Sequence, residues 1–577
     1  MLFAKGPKPM NSCFTALKNV WAQMSQSARI GMVGALTLGI FLRALRFDIF
    51  EFKGDELEGI MRGLAAPGQH WWIEHGSTAS VQIPFGPAFP YIMGLLTSVS
   101  PDPYVLTSFI LAANIVVLML AVLFFAEFSR DRNQFLLCVF LFSLSPYLII
   151  FSRKIWQPNI LLLFVIPLVL MITRVHRHPS LFLPIGLLSS IVVQLHHSGI
   201  FYMPVLICFA VLSFRFGVEP LAAVGRQLGQ SGPDNLTSGF EKRKGLAAGV
   251  PETSTAVGDP PPAAMNSPRQ SLPPGTHLWA AVGFAAFLLP LTPYMVFLLH
   301  HFRQTGITQW VAKAPYHLCL QGAIKWVLYS ATGSHFWRYM FSGKTGDWAW
   351  PVPPLPGAIL IICYILVVPF LFGVINYVKI AIAFIRSKSS GPAQRPDSRD
   401  LLCPLSIVFL FVIYCFILDH GRPHHYAIIL PFLILALSEG ILSLLSSSLS
   451  LRFGLAIRVL LCAGLISYAL QFPFVLSYVN ANNGSIGEYG ICYREQRDAA
   501  KKIAALAGRG QIRINPAVDP DNLFPSSRKA ELQRTIAYIC QTEFGTNVLF
   551  NANPEPGSEV LKILKTGERL RLEVGTE

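Results

Sequence analysis

The sequence predicts an all-α polytopic membrane protein of about eleven transmembrane helices, with interfacial helices in the first external loop and a small α/β external domain at the C-terminus. Three observations predict this. Of the 577 residues, 53% are hydrophobic and only 13% charged, against roughly 25% charged in soluble domains, and the mean hydropathy is +0.49. Apolar runs of about 15 to 25 residues recur down the chain, each long enough to cross most or all of a hydrocarbon core as a helix. The runs are continuous rather than alternating, so helices and not barrel strands satisfy the backbone in lipid.

The first 29 residues lack a short apolar core followed by a small-residue cleavage site, so the first span is expected to serve as its own address. Spans are expected at 30–45, 104–126, 135–150, 160–173, 181–195 and 200–214, and then at 278–299, 358–378, 405–418, 427–445 and 459–478. The segment PAFPYIMGLLTSV, 87–99, is short and proline-led, which suits a helix lying in the interface plane. With the N-terminus cytoplasmic, Lys and Arg are moderately enriched in the inner loops, as the positive-inside rule requires. Were 87–99 a crossing, Arg130, Arg132, Arg174 and Arg177 would move outside. Four regions follow: a membrane half at 1–216 with its first external loop at 47–103, a linker at 217–277, a second membrane half at 278–479, and an external domain at 480–577.

The linker contains EKRKG and GDPPPAAMNSPRQSLPPG and carries too little apolar surface to fold. A second basic linker, RSKSSGPAQRPDSRD, also falls inside. The tail alternates helix-like runs (REQRDAAKKIAALAG, RKAELQRTIAYI) with strand-like ones (QIRIN, TNVLF, LRLEV). The net charge of +15 is spread over short loops, where orientation and lipid headgroups account for it and a nucleic-acid partner does not. Seven of the ten cysteines lie in the N-terminus and the spans without metal-ligand spacing. Cys492 and Cys540 are the two in the tail, and a disulfide between them stays open if the tail meets an oxidising compartment. Asn483-Gly484-Ser485 matches a glycosylation sequon, which matters only in a eukaryote.

The unusual polar residues collect on the outer face of this layout. The first external loop holds Lys53, Asp55, Glu56, Arg62, Glu74 and His75. The loop SRKIWQPN brings Arg153 and Lys154, the fifth span ends at His196 and His197, and a long loop with five tryptophans follows the seventh span. The densest block is DHGRPHHY, 419–426, placed directly before an apolar run. Singly, each element has a structural reading as a solvated loop acid, a headgroup anchor, a helix end or an aromatic belt. Together they combine carboxylates able to take a proton from a hydroxyl with cations able to bind a departing phosphate at the membrane edge. That combination suits transfer of a group from a lipid-phosphate donor.

The pattern resembles the GT-C superfamily of polyprenyl-phosphate-sugar glycosyltransferases, most closely the branch of protein O-mannosyltransferases and the lipid A aminoarabinose transferase. The resemblance rests on FLRAL followed by Asp55-Glu56, on IPFGPAFPYIMGLL, on LSPYLIIFSRKIWQPNILLLF and on GRPHHYAIILPFLILAL. It covers roughly 30–200 and 400–445 and leaves the linker and tail unmatched. It implies an integral protein of a bacterial inner (plasma) membrane, N-terminus cytoplasmic and C-terminal domain periplasmic. It also implies that Asp55 is the general base with Glu56 beside it, and that Arg153, Lys154, Arg422, His424, His425 and Tyr426 hold the donor's phosphate. His196, His197, Glu74 and Asn159 are candidates for other substrate contacts. Two departures mark the chain as divergent. Gln157, Pro158 and Asn159 stand where the family often has an acid, and Pro84-Phe85-Gly86-Pro87 replaces a His-Pro-Pro element. The missing acid removes one metal ligand, so no residue is assigned to a metal and no cofactor is implied, although a divalent cation stays open.

The expected function is therefore an inverting membrane glycosyltransferase. Its partners are a polyprenyl-phosphate sugar, a lipid, glycan or protein acceptor, and membrane lipids. The rival is a transporter or flippase of a lipid-linked or anionic solute, which would bury ionisable groups or broken helices near the bilayer midplane. Here mid-span charges are few. A family member that only binds or scaffolds is the third reading.

Overall fold

A computed structural model describes residues 10–68, 73–77, 83–216, 273, 275–305, 320–333, 340, 362–386, 399–417, 423–447, 451–485, 489–507, 511–518, 526–550, 559–566 and 569–576. Residues 217–272 of the expected linker, 387–398 of the basic one and Asp419 to Arg422 lie outside the described residues.

The chain opens with α1 (Met10–Gln23), which the apolar runs did not announce, and α2 (Gln26–Ala44). The Ser25 hydroxyl caps α2 by accepting from the Ala28 amide at 3.2 Å. Two helices, α3 (Gly54–Gly68) and α4 (Ala88–Thr97), lie within the first loop and pack on each other. Then come α5 (Pro103–Phe128), α6 (Arg132–Ser143) and α7 (Pro146–Phe151). The run expected as one span at 135–150 is broken here because Pro146 has no amide hydrogen and would clash with the preceding turn. Ser145 instead caps a new short helix, its hydroxyl accepting from the Leu148 amide.

The remaining helices of the first half are α8 (Gln157–Ile172), α9 (Phe182–Leu195) and α10 (His197–Phe216). The second half contributes α11 (Thr276–Thr305), α12 (Leu320–Thr332), α13 (Val367–Arg386), α14 (Arg399–Ile417), α15 (Leu430–Leu445) and α16 (Leu451–Asn482). A 3-10 segment, Pro423–Ile429, leads into α15.

Among the described residues, six helical segments are long and apolar enough to cross a membrane, and five more apolar helices run only 10–17 residues. Of the eleven spans expected, these six meet the length and hydropathy of a full crossing among the described residues. A helix of 16 residues such as α8 spans about 24 Å, short of a hydrocarbon core of about 30 Å. The expected interfacial segment 87–99 does form a short helix, α4.

Apolar helices in lipid gain little from the hydrophobic effect on one another, so close approach through small residues carries the packing. A β-carbon added to Gly373 of α13 would sit 1.7 Å from the Ala436 carbonyl oxygen of α15, and one on Gly440 would sit 1.6 Å from that of Pro369. The backbones meet where side chains would have stood between them. At one end of the bundle, Arg174 pairs with Glu127 at 2.8 Å and Arg130 with Glu439 at 2.9 Å. The opposite end, where α8 and α10 begin and α9 finishes, carries the first loop and the tail.

The tail consists of α17 (Tyr493–Ala507), β1 (Gln511–Val518), α18 (Ser526–Phe544), β2 (Asn547–Phe550), β3 (Glu559–Thr566) and β4 (Arg569–Thr576). Its sheet has the order β2-β1-β3-β4, with β1 parallel to both β2 and β3 and β4 antiparallel to β3. The tail clamps the first loop. The Tyr493 amide donates to the Phe50 carbonyl at 2.9 Å, Gln496 Nε2 to that of Phe52 at 2.7 Å, and the Tyr538 hydroxyl to that of Pro101 at 2.7 Å. Phe50 stacks on Tyr493 with ring centroids 4.4 Å apart.

Cys492 and Cys540 are both buried free thiols, so the disulfide left open by the sequence is not made. The Cys540 thiol instead donates to the Ala500 carbonyl at 3.5 Å. Asn483 of the sequon is buried, and its side-chain amide donates to the Leu570 carbonyl at 3.0 Å.

Candidate functional site

The site starts from an acid that the sequence reading passed over. In Phe50-Glu51-Phe52 the backbone is extended and bridges to Cys492 of the tail. Both flanking phenylalanines are fully buried, and Glu51 is 6% exposed. The next residues start α3. Glu56, in its first turn, accepts from the Lys53 backbone amide at 2.8 Å, which is half of a capping box. Glu56 is 0% exposed, so the carboxylate that caps the helix is also buried.

Lys154 arrives from the loop before α8 and lies between the two acids. Its Nζ is 2.9 Å from Glu51 and 3.0 Å from Glu56, while Lys53 forms a second, close ion pair with Glu51. The Lys154 loop is itself held, since Asn159 Nδ2 donates to the Lys154 carbonyl at 2.9 Å and Asn114 Nδ2 to that of Asn159 at 3.1 Å. Asn159 therefore holds the loop that carries Lys154.

Electrostatics follow from this burial. Burial pushes Glu51 up, but Lys154 and Lys53 together carry its pKa below the ordinary value of 4.5. For Glu56 burial outweighs Lys154 and its pKa is raised, with Glu51 and Asp55 adding to the rise. Lys154 is lowered by burial and then lifted well above 10.5 by Glu51, Glu56 and Asp55. Asp55 thus acts on the cluster while its own side chain is exposed at the start of α3.

The signs set an acid response. The contribution of Glu51, present above its unfolded value, is lost as pH falls through its depressed folded value. Glu56 takes its proton first, and its term has the opposite sign. Lys154 loses its contribution only on the alkaline side, above 10.5. Thermal melts are therefore expected to fall off below about pH 4.5, and Glu51→Gln to flatten that acid limb. Coincident acid limbs in the two proteins would remove Glu51 from this role.

Beyond Lys154 the site becomes aromatic. Lys154 Nζ lies 4.6 Å from the Trp156 ring centre, and Trp156 meets His424 edge-on at 4.4 Å. His424 is 4.3 Å from His425, and both rings are 5.6 Å from His196. His197 stacks on Phe85 at 4.5 Å, and the Pro84 carbonyl of the first loop accepts from the Tyr294 hydroxyl at 2.7 Å. His196 is 2% exposed. Burial, then His425 and His197, hold its pKa well below the ordinary histidine value, which keeps it neutral.

The structure thus brings together Glu56, Lys154, His196, His197, His424 and His425, with Asp55 at the edge. It separates others. Arg153 turns away from Lys154, donating to the Arg46 carbonyl beside the rings of Phe47 and Phe472. Tyr426 is fully buried, and its hydroxyl reaches the Ala323 carbonyl at 3.5 Å. Glu74 is exposed, and its neighbour His75 stacks on Phe297 at 4.3 Å. Arg422 lies outside the described residues. Sequence reading missed Glu51 and Trp156. An acid between two phenylalanines was the available signal for the first, and a Trp beside Lys154 for the second.

Fold and site together define a polytopic helical membrane protein with a buried ionic and imidazole cluster at one end of its bundle. No family model and no curated protein sequence matches the chain. Solved structures of an Archaeoglobus fulgidus oligosaccharyltransferase are similar. The form tethered to an acceptor peptide containing the NVT sequon is 9% identical over 91% of this chain and 64% of that one, with a TM-score of 0.43. The form with an inhibitory peptide and a dolichol-phosphate is 10% identical over 90% and 60%, with a TM-score of 0.42. The complex with Zn and sulfate is 10% identical over 90% and 62%, with a TM-score of 0.43. The chain therefore spans less than two thirds of the length of these structures.

Proposed function

We propose that the protein is an integral membrane glycosyltransferase that moves a sugar from a polyprenyl-phosphate donor to a hydroxyl-bearing acceptor. One observation carries this reading: Lys154 is gripped between Glu51 and Glu56, so acids of the first loop and bases of later loops share one site at one end of the helices. Asp55 is the general base. Its exposed carboxylate takes the acceptor's proton, the acceptor oxygen bonds to the anomeric carbon, and the bond from that carbon to the phosphate oxygen breaks. The lipid phosphate departs with the electron pair, and single displacement inverts the configuration. His424 and His425 stand nearest the departing phosphate. Lys154, already paired twice, keeps Glu56 and the start of α3 in place.

Membranes containing the full chain and labelled polyprenyl-phosphate sugar test the reading. Label is expected in a lipid, glycan or protein fraction only when the chain is present. No transfer from any lipid donor, together with solute flux that depends on the chain, would replace it with the transporter reading.

A further inference from the structure

We propose that His196, His424 and His425 bind one divalent transition-metal ion of the Zn²⁺ class. Each ring offers one nitrogen, and the three atoms all lie within 4.8 Å of one another. Zinc bonds imidazole nitrogen at about 2.0–2.1 Å, which puts tetrahedral ligand atoms about 3.4 Å apart. The rings therefore close by about 1.4 Å at most around an ion. A set made only of imidazole nitrogens favours Zn²⁺, Co²⁺, Ni²⁺ or Cu²⁺ over Mg²⁺ or Ca²⁺, which take oxygen.

The backbone that carries the rings is fixed from both sides. His196 closes α9, with its amide donating to the Val192 carbonyl at 3.3 Å and its carbonyl accepting from the Gly199 amide at 2.8 Å. Facing it, the Tyr414 hydroxyl donates to the His425 carbonyl at 3.2 Å. His196 Nδ1 is engaged by the Ser198 hydroxyl at 2.7 Å and accepts from the Ser198 amide at 3.2 Å, which leaves Nε2 as its metal-facing atom. Metal binding at Nε2 puts the proton on Nδ1, so the ring gives up the hydrogen bond it accepts from the Ser198 amide and donates to the Ser198 hydroxyl, the supporting hydrogen bond that metal-bound imidazoles generally make. Three protein ligands leave a fourth position open. The inference concerns binding and does not rest on the transfer reading. If both hold, the ion rather than the His424 and His425 rings faces the donor phosphate.

The test uses the full chain, purified without a polyhistidine tag, incubated with Zn²⁺ and freed of excess metal. Mass spectrometry is expected to find about one Zn²⁺ per chain, and Co²⁺ in its place to give the visible absorption of a tetrahedral nitrogen site. His196→Gln and His425→Ala are each expected to abolish both signals. Ser198→Ala is expected to weaken binding about 10- to 100-fold, and His75→Ala to leave it unchanged. Equal Zn²⁺ content in wild type and both ligand variants, or a wild type without bound Zn²⁺ and without the Co²⁺ spectrum, would overturn the site. Where a ligand variant misfolds, Ser198→Ala beside His75→Ala decides: equal Zn²⁺ affinity in the two would overturn the site. Because the readout is metal content, transfer activity can fail while the site stands, and the reverse.

Discussion

Asp55→Asn is expected to lower sugar transfer by about 10²- to 10⁴-fold, the range a positioned general base contributes. The amide has the shape of the acid but no basicity, so the acceptor's proton has nowhere to go. The loss should appear in kcat, with the KM for the lipid donor little changed, because Asp55 is not assigned to the phosphate. Folding should survive, since the side chain is exposed at the first turn of α3. Glu56 cannot take over the role. It is fully buried, accepts from the Lys53 amide and pairs with Lys154. Turnover kinetics in membranes, wild type beside Asp55→Asn, check this. Equal kcat in both would remove Asp55 as the base and turn attention to the other acids of the first loop.

Lys154→Met is expected to have the largest effect on stability. The side chain is 8% exposed and pairs with two carboxylates that are 6% and 0% exposed. Removing one partner of a buried ion pair costs about 3–5 kcal/mol, because the remaining charge has neither water nor a counterion. Glu51 keeps Lys53, so Glu56 is the group left stranded. The double variant Lys154→Met/Glu56→Gln removes that charge and should recover most of the loss. Thermal melts of the purified chain read both effects. A single variant as stable as wild type, or a double variant no better than the single one, would mean that the cluster is solvated rather than buried.

The contrast between these two acids is also where sequence and structure part. Asp55-Glu56 could be singled out from the sequence because two adjacent acids are unusual beside an apolar run. Their adjacency on a helix points the side chains about 100° apart, and which one faces the interior depends on what α3 packs against. Glu56 faces inward onto Lys154 and Asp55 outward. Glu51 escaped notice because its environment is supplied by residues far along the chain: Cys492 bridges its backbone and Lys154 pairs with its carboxylate. The basic tripeptide Ser152-Arg153-Lys154 carries the same lesson. Its two cations leave a short turn in different directions, Lys154 into the acid cluster and Arg153 toward the Arg46 carbonyl.

Span counting shows a second limit. Hydropathy locates apolar stretches well, since it needs only composition over a window. It does not locate the ends or breaks of helices, which depend on local caps. The Ser145-Pro146 step splits one apolar run into two helices, and α8 and α9 end after 16 and 14 residues.

The sequence by itself determined that this chain is a helical membrane protein, that its polar chemistry gathers in the first loop, the SRK turn and the GRPHHY element, and that its tail is α/β. These are properties of composition and periodicity, which any window of residues carries. Only the tertiary structure decided that Glu51, Glu56 and Lys154 form one buried cluster, that His196 meets His424 and His425, and that the tail clamps the loop bearing the acids. Those contacts join residues scores or hundreds of positions apart. Their partners are chosen by how helices pack, through close approaches such as Gly373 against Ala436, which no local pattern encodes.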